Sequence, residues 1–361
     1  MAIEFATERW AQVKDNHRRW WAGELKRPLI HVVLGGGDPG RPAPRLKAER
    51  FTAAYDFAVP AEEIVDRWDY DLSCQRFLGD AFPHVWPNFG PGVGAAFAGA
   101  VLEVAPETCW FHPPKAVEIG DRLFRYSARN RWYTRVRDLY RAAVARWQGL
   151  VQVGMTDLGG NLDLLSTFRP GEKLLLDLYD HPAAVKAQTW KAHELWWRCF
   201  NEINAVLQPV NPGYTCWTPI FSAEPYYMLQ CDFCYMIGPA MFDEFVKPEL
   251  AATCRRLTNA FYHLDGPGEL PHLDSLLQIP ELKGIQWIPG AGQKPNTEWP
   301  DVYRRIRRAG KLVQIFGAGS LDALDVIADQ VGSAAGIVMI AWMDVKKEAE
   351  ARRVLARYGA L

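Results

Sequence analysis

The sequence predicts an α/β fold, a (β/α)8 TIM-type barrel with an N-terminal helical extension and a β-hairpin insertion. Three observations carry this. Short apolar runs rich in β-branched residues recur eight times, each bounded by glycine, proline or polar clusters, as buried strands require. Longer segments of helical period separate most of them, and strand–helix alternation implies a parallel sheet with right-handed crossovers. A chain of 361 residues also suits one such barrel with insertions, so residues 1–361 are read as a single domain.

In chain order, residues 7–24 read as a polar, helix-like opening, within an extension covering residues 1–27. The run at 28–34 is the first strand, closed by Gly35-Gly36-Gly37. Further strands are expected at 81–86, 151–155, 216–221, 260–264, 284–288, 312–316 and 336–342. Helices are expected at 171–178, 182–207, 239–259, 269–277, 300–309 and 321–330. Over 101–125 the pattern changes to short extended pieces around Cys109-Trp110-Phe111 and Arg122-Leu123-Phe124, which predicts the hairpin. An open doubly wound sheet shares the alternation, but no Gly-x-Gly-x-x-Gly turn links a first strand to a helix.

Composition removes several function classes. Lys plus Arg number 41 against 42 Asp plus Glu, so no overall field favours nucleic acid or an anionic membrane. Neither a dinucleotide fingerprint nor a Walker lysine is present, which argues against NAD and ATP. The seven cysteines are scattered and odd in number, as expected of reduced thiols. With no signal peptide and no apolar run long enough to span a bilayer, a cytoplasmic enzyme is expected.

The candidate chemistry clusters where strands end, the position at which barrel enzymes hold their catalytic groups. His263 and Asp265 end the fifth predicted strand, two residues apart and so on one face, before a Gly266-Pro267-Gly268 loop. They suit metal ligation or general acid–base work, against the plainer reading of a buried histidine bonded to backbone. Asp232 lies between Cys231 and Cys234, a Cys-x-x-Cys spacing that packing alone explains. Asp157, Asn161 and Asp163 follow the third strand in a glycine-rich turn; Asp157 leans to the site and Asp163 to a cap or loop bond. Trp86 and Asn88, together with Glu224, Tyr226 and Tyr227, offer aromatic walls with polar handles, or simply loop packing. Gln286-Trp287, and Trp342 with Asp344, end later strands. This set is rich in Asp, His, Trp and Tyr and poor in Arg. It suits a neutral, polyhydroxylated, aromatic or cationic substrate better than a polyanion.

The segment from Cys231 to Pro248, ending in Pro239-x-x-Phe242-x-x-Phe245-x-x-Pro248, resembles the uroporphyrinogen decarboxylase superfamily, which includes cobalamin-linked and zinc-dependent methyltransferases. Trp86-Pro87-Asn88-Phe89-Gly90-Pro91-Gly92, Thr156-Asp157-Leu158-Gly159-Gly160 and Tyr262-His263-Leu264-Asp265-Gly266 extend the resemblance along the chain. It implies the barrel, a homodimer as in the decarboxylases, and a family catalytic aspartate matching Asp80. By register from Pro239 it also puts Cys231 or Asp232 at a position facing substrate. Zinc-dependent relatives carry His-x-Cys-Gly where this chain has His263-Leu264-Asp265-Gly266, and no cysteine follows Cys254. A zinc or other divalent ion here would rest on His263 and Asp265, with Cys231 recruited from a neighbouring strand end. The tetrapyrrole-gripping arginine loop has no counterpart after Leu25, nor does the family's C-terminal histidine, since no His follows His272.

The leading expectation is therefore transfer of a methyl or other one-carbon unit on a small metabolite. His263 and Asp265 would act at the centre, Asp232 and Asp80 would position the substrate, and a corrinoid protein would be the partner. Alternatives are a metal-free decarboxylase or lyase in which Asp80 stabilises a cationic intermediate, a carboxylate-based hydrolase or isomerase of a polyol or glycoside, and a barrel that only binds a ligand or corrinoid partner.

Overall fold

The computed structural model describes residues 3–361, apart from the side chain of Ala318. Eleven strands form among the described residues: β1 (Leu29–Gly35), β2 (Arg76–Gly79), β3 (His84–Val85), β4 (Val101–Val104), β5 (Cys109–His112), β6 (Gln152–Val153), β7 (Tyr226–Leu229), β8 (Asn259–Asp265), β9 (Leu282–Ile288), β10 (Leu312–Ala318) and β11 (Ile337–Asp344). One sheet runs β2-β1-β11-β10-β9-β8-β7, parallel throughout except that β2 lies antiparallel on β1. A second ladder pairs β3 with β6 in parallel, and β4–β5 is the expected hairpin. Eight parallel strands are thus present, but these two ladders do not join into a continuously hydrogen-bonded ring.

The difference from the expected barrel lies in two segments. Residues 81–86 hold only the two-residue β3, because the chain first runs down β1 as β2. Residues 216–221 form no strand. Pro219 has no N–H to give a ladder, and the Ile220 N–H closes a tight turn on the Thr218 carbonyl. Tyr214 and Ser222 instead make an isolated antiparallel bridge, and Met155 N–H bonds to Thr215 O, so this segment fills the gap beside β6. The fourth parallel strand is β7, which starts just after Pro225.

The helices follow the sequence with breaks at prolines and glycines. The expected 239–259 helix divides into Pro239–Phe245 and Lys247–Arg256, and the 269–277 helix begins as a 3-10 turn, Pro267–His272. Helices Ala61–Ser73, Arg131–Trp147 and Glu348–Arg357 were not expected. Asn130 caps the second of these, its side-chain oxygen accepting the Trp132 and Tyr133 N–H groups.

The two faces of the sheet are distinguished by what they touch. Trp287 meets Trp299, beside the Pro300–Arg308 helix, at 5.1 Å between ring centroids, and Tyr227 meets Trp196 of the Pro182–Leu207 helix at 5.0 Å. These odd-numbered residues therefore face the outer helices. On the opposite, inner face, Phe261 stacks on Trp20 at 6.0 Å. A Cβ at Gly284 would fall 2.2 Å from that same phenyl ring, so only glycine admits it. By alternation Phe261, His263 and Asp265 share the inner face of β8.

The N-terminal helix, Thr7–Trp21, seals the amino ends of the strands. Trp10 packs on Phe82 and Phe221, Trp21 donates to the Phe221 carbonyl, and the wholly buried His17 bonds to His31 of β1 through their Nε2 atoms at 3.1 Å. The opposite end, where the parallel strands finish, is the carboxyl rim. No described helix is long and apolar enough to cross a membrane.

Candidate active site

The rim is built by the residues that follow β6, β7 and β8. The turn after β6 is fixed by Tyr227, whose hydroxyl accepts the Leu158 N–H at 2.7 Å and donates to Thr156 O at 3.3 Å. Gly159, at φ +76°, sits so close to Gly92 that a Cβ would lie 2.8 Å from the Gly92 Cα. Asp157 is presented between these clamps. One of its oxygens accepts the Gly159 N–H, burial pushes its carboxyl up to about 7, and the charge of Asp232 adds to the rise.

After β7, the 3-10 turn Asp232–Met236 is anchored by Asp163, which accepts the Asp232 N–H at 3.1 Å and the Phe233 N–H at 2.8 Å. Asp163 is thus the loop bond its position suggested. Burial, reinforced by Asp232, pushes it up to about 7. Asp232 itself reaches solvent; loss of bulk water around it and the charge of Asp265 raise its carboxyl, while His263 opposes them.

On β8 the His263 Nδ1 is engaged by the amide oxygen of Gln286, its register partner on β9. That leaves Nε2 facing the Asp265 carboxylate at 3.9 Å. Trp217, carried in by the non-strand segment 216–221, sets its ring edge-to-face against the imidazole at 5.2 Å. With the Gln286 oxygen toward it, Nδ1 carries the hydrogen and Nε2 the lone pair, as a general base needs.

A cavity of about 610 Å³ opens beside this rim. Gly92, Gly159, Asp163, Gln230 and Asp232 form its polar side, and Cys109, Trp110 and Phe111 of the hairpin form a wall together with Met236. Its size suits a small metabolite.

His263, Asp265, Asp232 and Asp157 are therefore brought together as expected, with Asn161 at the start of the adjoining Asn161–Phe168 helix. Other expected site residues lie elsewhere. Asp80 sits at the amino end, against Arg27, Asn16 and the Ile30 N–H, because β2 runs antiparallel and carries it away from the rim. Glu224 is exposed before the start of β7. Asn88 staples its own loop, accepting from Gly90 N–H and donating to Arg50 O. Tyr227 and Trp287 face the outer helices, since each is one residue out of step with the inner face. Trp86 follows β3, half-buried.

The expected metal ligands do not converge. Cys231 is buried, and burial together with Cys234 drives its thiol well above the ordinary value. Among the described residues no group of three or more His, Cys, Asp or Glu side chains is placed to hold an ion.

Three polar residues in or near this end of the sheet had escaped the sequence reading. Glu269 is buried in the βα loop after β8; burial, Asp232 and Asp163 push its carboxyl up to about 10. Gln314, wholly buried on β10, pairs in register with Gln286, and Gln230 lines the cavity with Asp232. A glutamine inside an apolar run was the available signal for Gln314.

No family model and no curated protein matches the sequence. Among solved structures, a methyltransferase from Methanosarcina mazei superposes with a TM-score of 0.63 at 12% identity, covering 95% of this chain and 99% of that one. The fold is therefore the one that methyltransferase has. A match to macrophomate synthase has a TM-score of 0.24 at 13% identity, over 63% of this chain and 73% of that chain, and supports no argument.

Proposed function

We propose that this chain is an enzyme that moves a methyl group or another one-carbon unit to or from a small metabolite at its carboxyl rim. The observation that carries this reading is the His263 arrangement. One ring nitrogen is fixed by Gln286 and the other faces Asp265, at a strand end whose neighbour Asp232 lines a metabolite-sized cavity, in a fold shared with a methyltransferase.

The chemistry asked of these residues is modest. In the direction that methylates an acceptor, His263 Nε2 takes the acceptor's proton as its lone pair attacks the methyl carbon, and the donor departs with the electron pair of the broken bond. Asp265 stabilises the resulting imidazolium, and Asp232 orients the acceptor from the cavity side. A corrinoid-carrying protein is the proposed partner at the rim. No step is assigned to a divalent ion, because the available donors do not form a ligand set. The lyase alternative loses its proposed centre, since Asp80 lies at the opposite end of the strands.

The test uses methylcobalamin with a panel of small amines, thiols and alcohols, following the cobalt–carbon absorbance. Protein-dependent demethylation is expected, reduced about a hundredfold or more in His263→Ala, the scale of a lost acid–base group. Absence of turnover with any acceptor, alongside retained ligand binding, would leave a binding barrel instead.

A further inference from the structure

The inner face of the sheet turns polar at one level. Phe261, Gly284 and Leu312, which are register partners across β8, β9 and β10, are apolar; two residues further along the same strands stand His263, Gln286 and Gln314, again partners in register. Period-two alternation puts all three side chains on the inner face in one tier.

This tier is left unsatisfied by the protein itself. Gln286 is wholly buried; its oxygen engages His263 Nδ1 while its Nε2 has no partner. Gln314 is equally buried, with neither amide atom paired. Buried polar atoms in a folded chain are nearly always satisfied by protein, water or ligand. A carboxamide with both atoms unpaired offers a donor and an acceptor side by side, and Gln286 adds a second donor.

Above the tier the strand ends open to solvent between aromatic rings. Phe316, two residues beyond Gln314, lies 5.6 Å from the ring of Trp342, which is 50% exposed, and Trp217 stands against His263 at 5.2 Å. Half-covered aromatic walls favour a flat ring between them. Among the described residues no lysine or arginine stands on the inner face of β8, β9, β10 or β11, so nothing there holds an anion, and Asp265 at the mouth repels one. A cation would in turn meet the amide N–H groups of both glutamines.

We propose that the mouth above this tier binds a neutral, planar heterocycle with a lactam edge, its N–H donating to Gln314 Oε1, its carbonyl accepting from the glutamine Nε2 atoms, and its ring against Phe316 and Trp342. The inference rests on the reading of His263 as the centre of the active site and names the class of metabolite that site takes. Donor and acceptor must lie side by side on the guest, as they do in a lactam; a ring that lacks the N–H leaves Gln314 Oε1 unpaired.

The probe is α-pyridone, compared by titration calorimetry with N-methyl-α-pyridone, which keeps the ring and carbonyl but has no N–H, on the full chain. α-Pyridone should bind at least about tenfold more tightly, the scale of one buried acceptor left without its donor. Gln314→Leu should weaken α-pyridone about tenfold or more while the melting temperature stays level or rises, because an unpaired amide is replaced by an apolar group; a purely structural glutamine would lower it. Trp342→Ala should weaken binding about threefold or more, with little change in melting because the ring is half exposed. Equal affinity for the two rings, binding of neither, as a tier satisfied by ordered water would give, or a Gln314→Leu protein that melts lower or binds as tightly as the wild type would overturn the proposal. Calorimetry needs no methyl donor, so lactam binding without methyl transfer would refute only the reaction assigned above, and turnover of open-chain acceptors with no lactam bound would refute only this inference.

Discussion

Asp80 is the residue for which a family resemblance and the structure give opposite answers, and stability separates them. Its carboxylate, 1% exposed, takes two guanidinium contacts from Arg27 at 2.7 and 2.9 Å, one from Asn16 at 2.8 Å and one from the Ile30 N–H at 2.9 Å. Burial opposes ionisation, but Arg27 and the Ile30 N–H outweigh it and hold the carboxyl below its ordinary value. Asp80→Ala strands a guanidinium that is only 17% exposed and leaves the Ile30 N–H without an acceptor. Removing one partner of a buried pair costs about 3–5 kcal/mol, and the orphaned N–H accounts for about 1–3 kcal/mol of that. Arg27 keeps its bond to the Pro28 carbonyl, so the lower end, about 3 kcal/mol, is expected. By scanning calorimetry at one scan rate the melting temperature should fall by several degrees. Adding Arg27→Met should recover part of the loss, because no unpaired charge then remains. Ligand binding at the rim, measured below the melting temperature, should stay intact. An Asp80→Ala protein that melts like the wild type yet loses turnover would refute this reasoning and restore a catalytic role.

Three further expectations concern the seal and the rim. His17 is wholly buried and burial lowers it from 6.5 to about 4, so between those values the unfolded chain binds a proton that the folded chain does not, and stability falls as pH falls. Urea unfolding across this window should show His17→Gln losing about 3 kcal/mol less than the wild type on acidification; parallel curves would count against it. Tyr227→Phe removes the acceptor of the Leu158 N–H and should cost about 1–3 kcal/mol, weakening rim binding through displacement of Asp157. Unchanged binding in that variant would show that Asp157 needs no such clamp. Gln286→Leu deletes an unpaired buried nitrogen and should leave stability level or higher while reducing turnover, because His263 loses its Nδ1 anchor; lost stability with full turnover would contradict the assignment.

The parallel strands were legible where the chain runs as uninterrupted apolar segments: β1, β8, β9, β10 and β11 each fall on a predicted run. The reading failed at residues 216–221, where Cys-Trp-Thr-Pro-Ile-Phe has strand-like composition but Pro219 cannot join a ladder. It also failed at Asp80, because a two-residue β3 and an antiparallel β2 look alike in one apolar stretch, and only pairing shows that the chain reverses there. The unexpected Arg131–Trp147 helix had an asparagine cap that the sequence already displayed.

His263 with Asp265 was determined by the sequence itself, since a period-two spacing at a strand end leaves both side chains on one face whatever surrounds them. Which partners they meet was decided only in three dimensions. The β8–β9 register brings Gln286 to the imidazole, the 216–221 turn brings Trp217, and the hairpin brings Trp110 and Phe111 to the cavity beside Asp232. Local periodicity fixes the direction of a side chain. Contacts between segments far apart in the chain depend on how long-range strand pairing and loop closure are resolved together, and no local pattern encodes that.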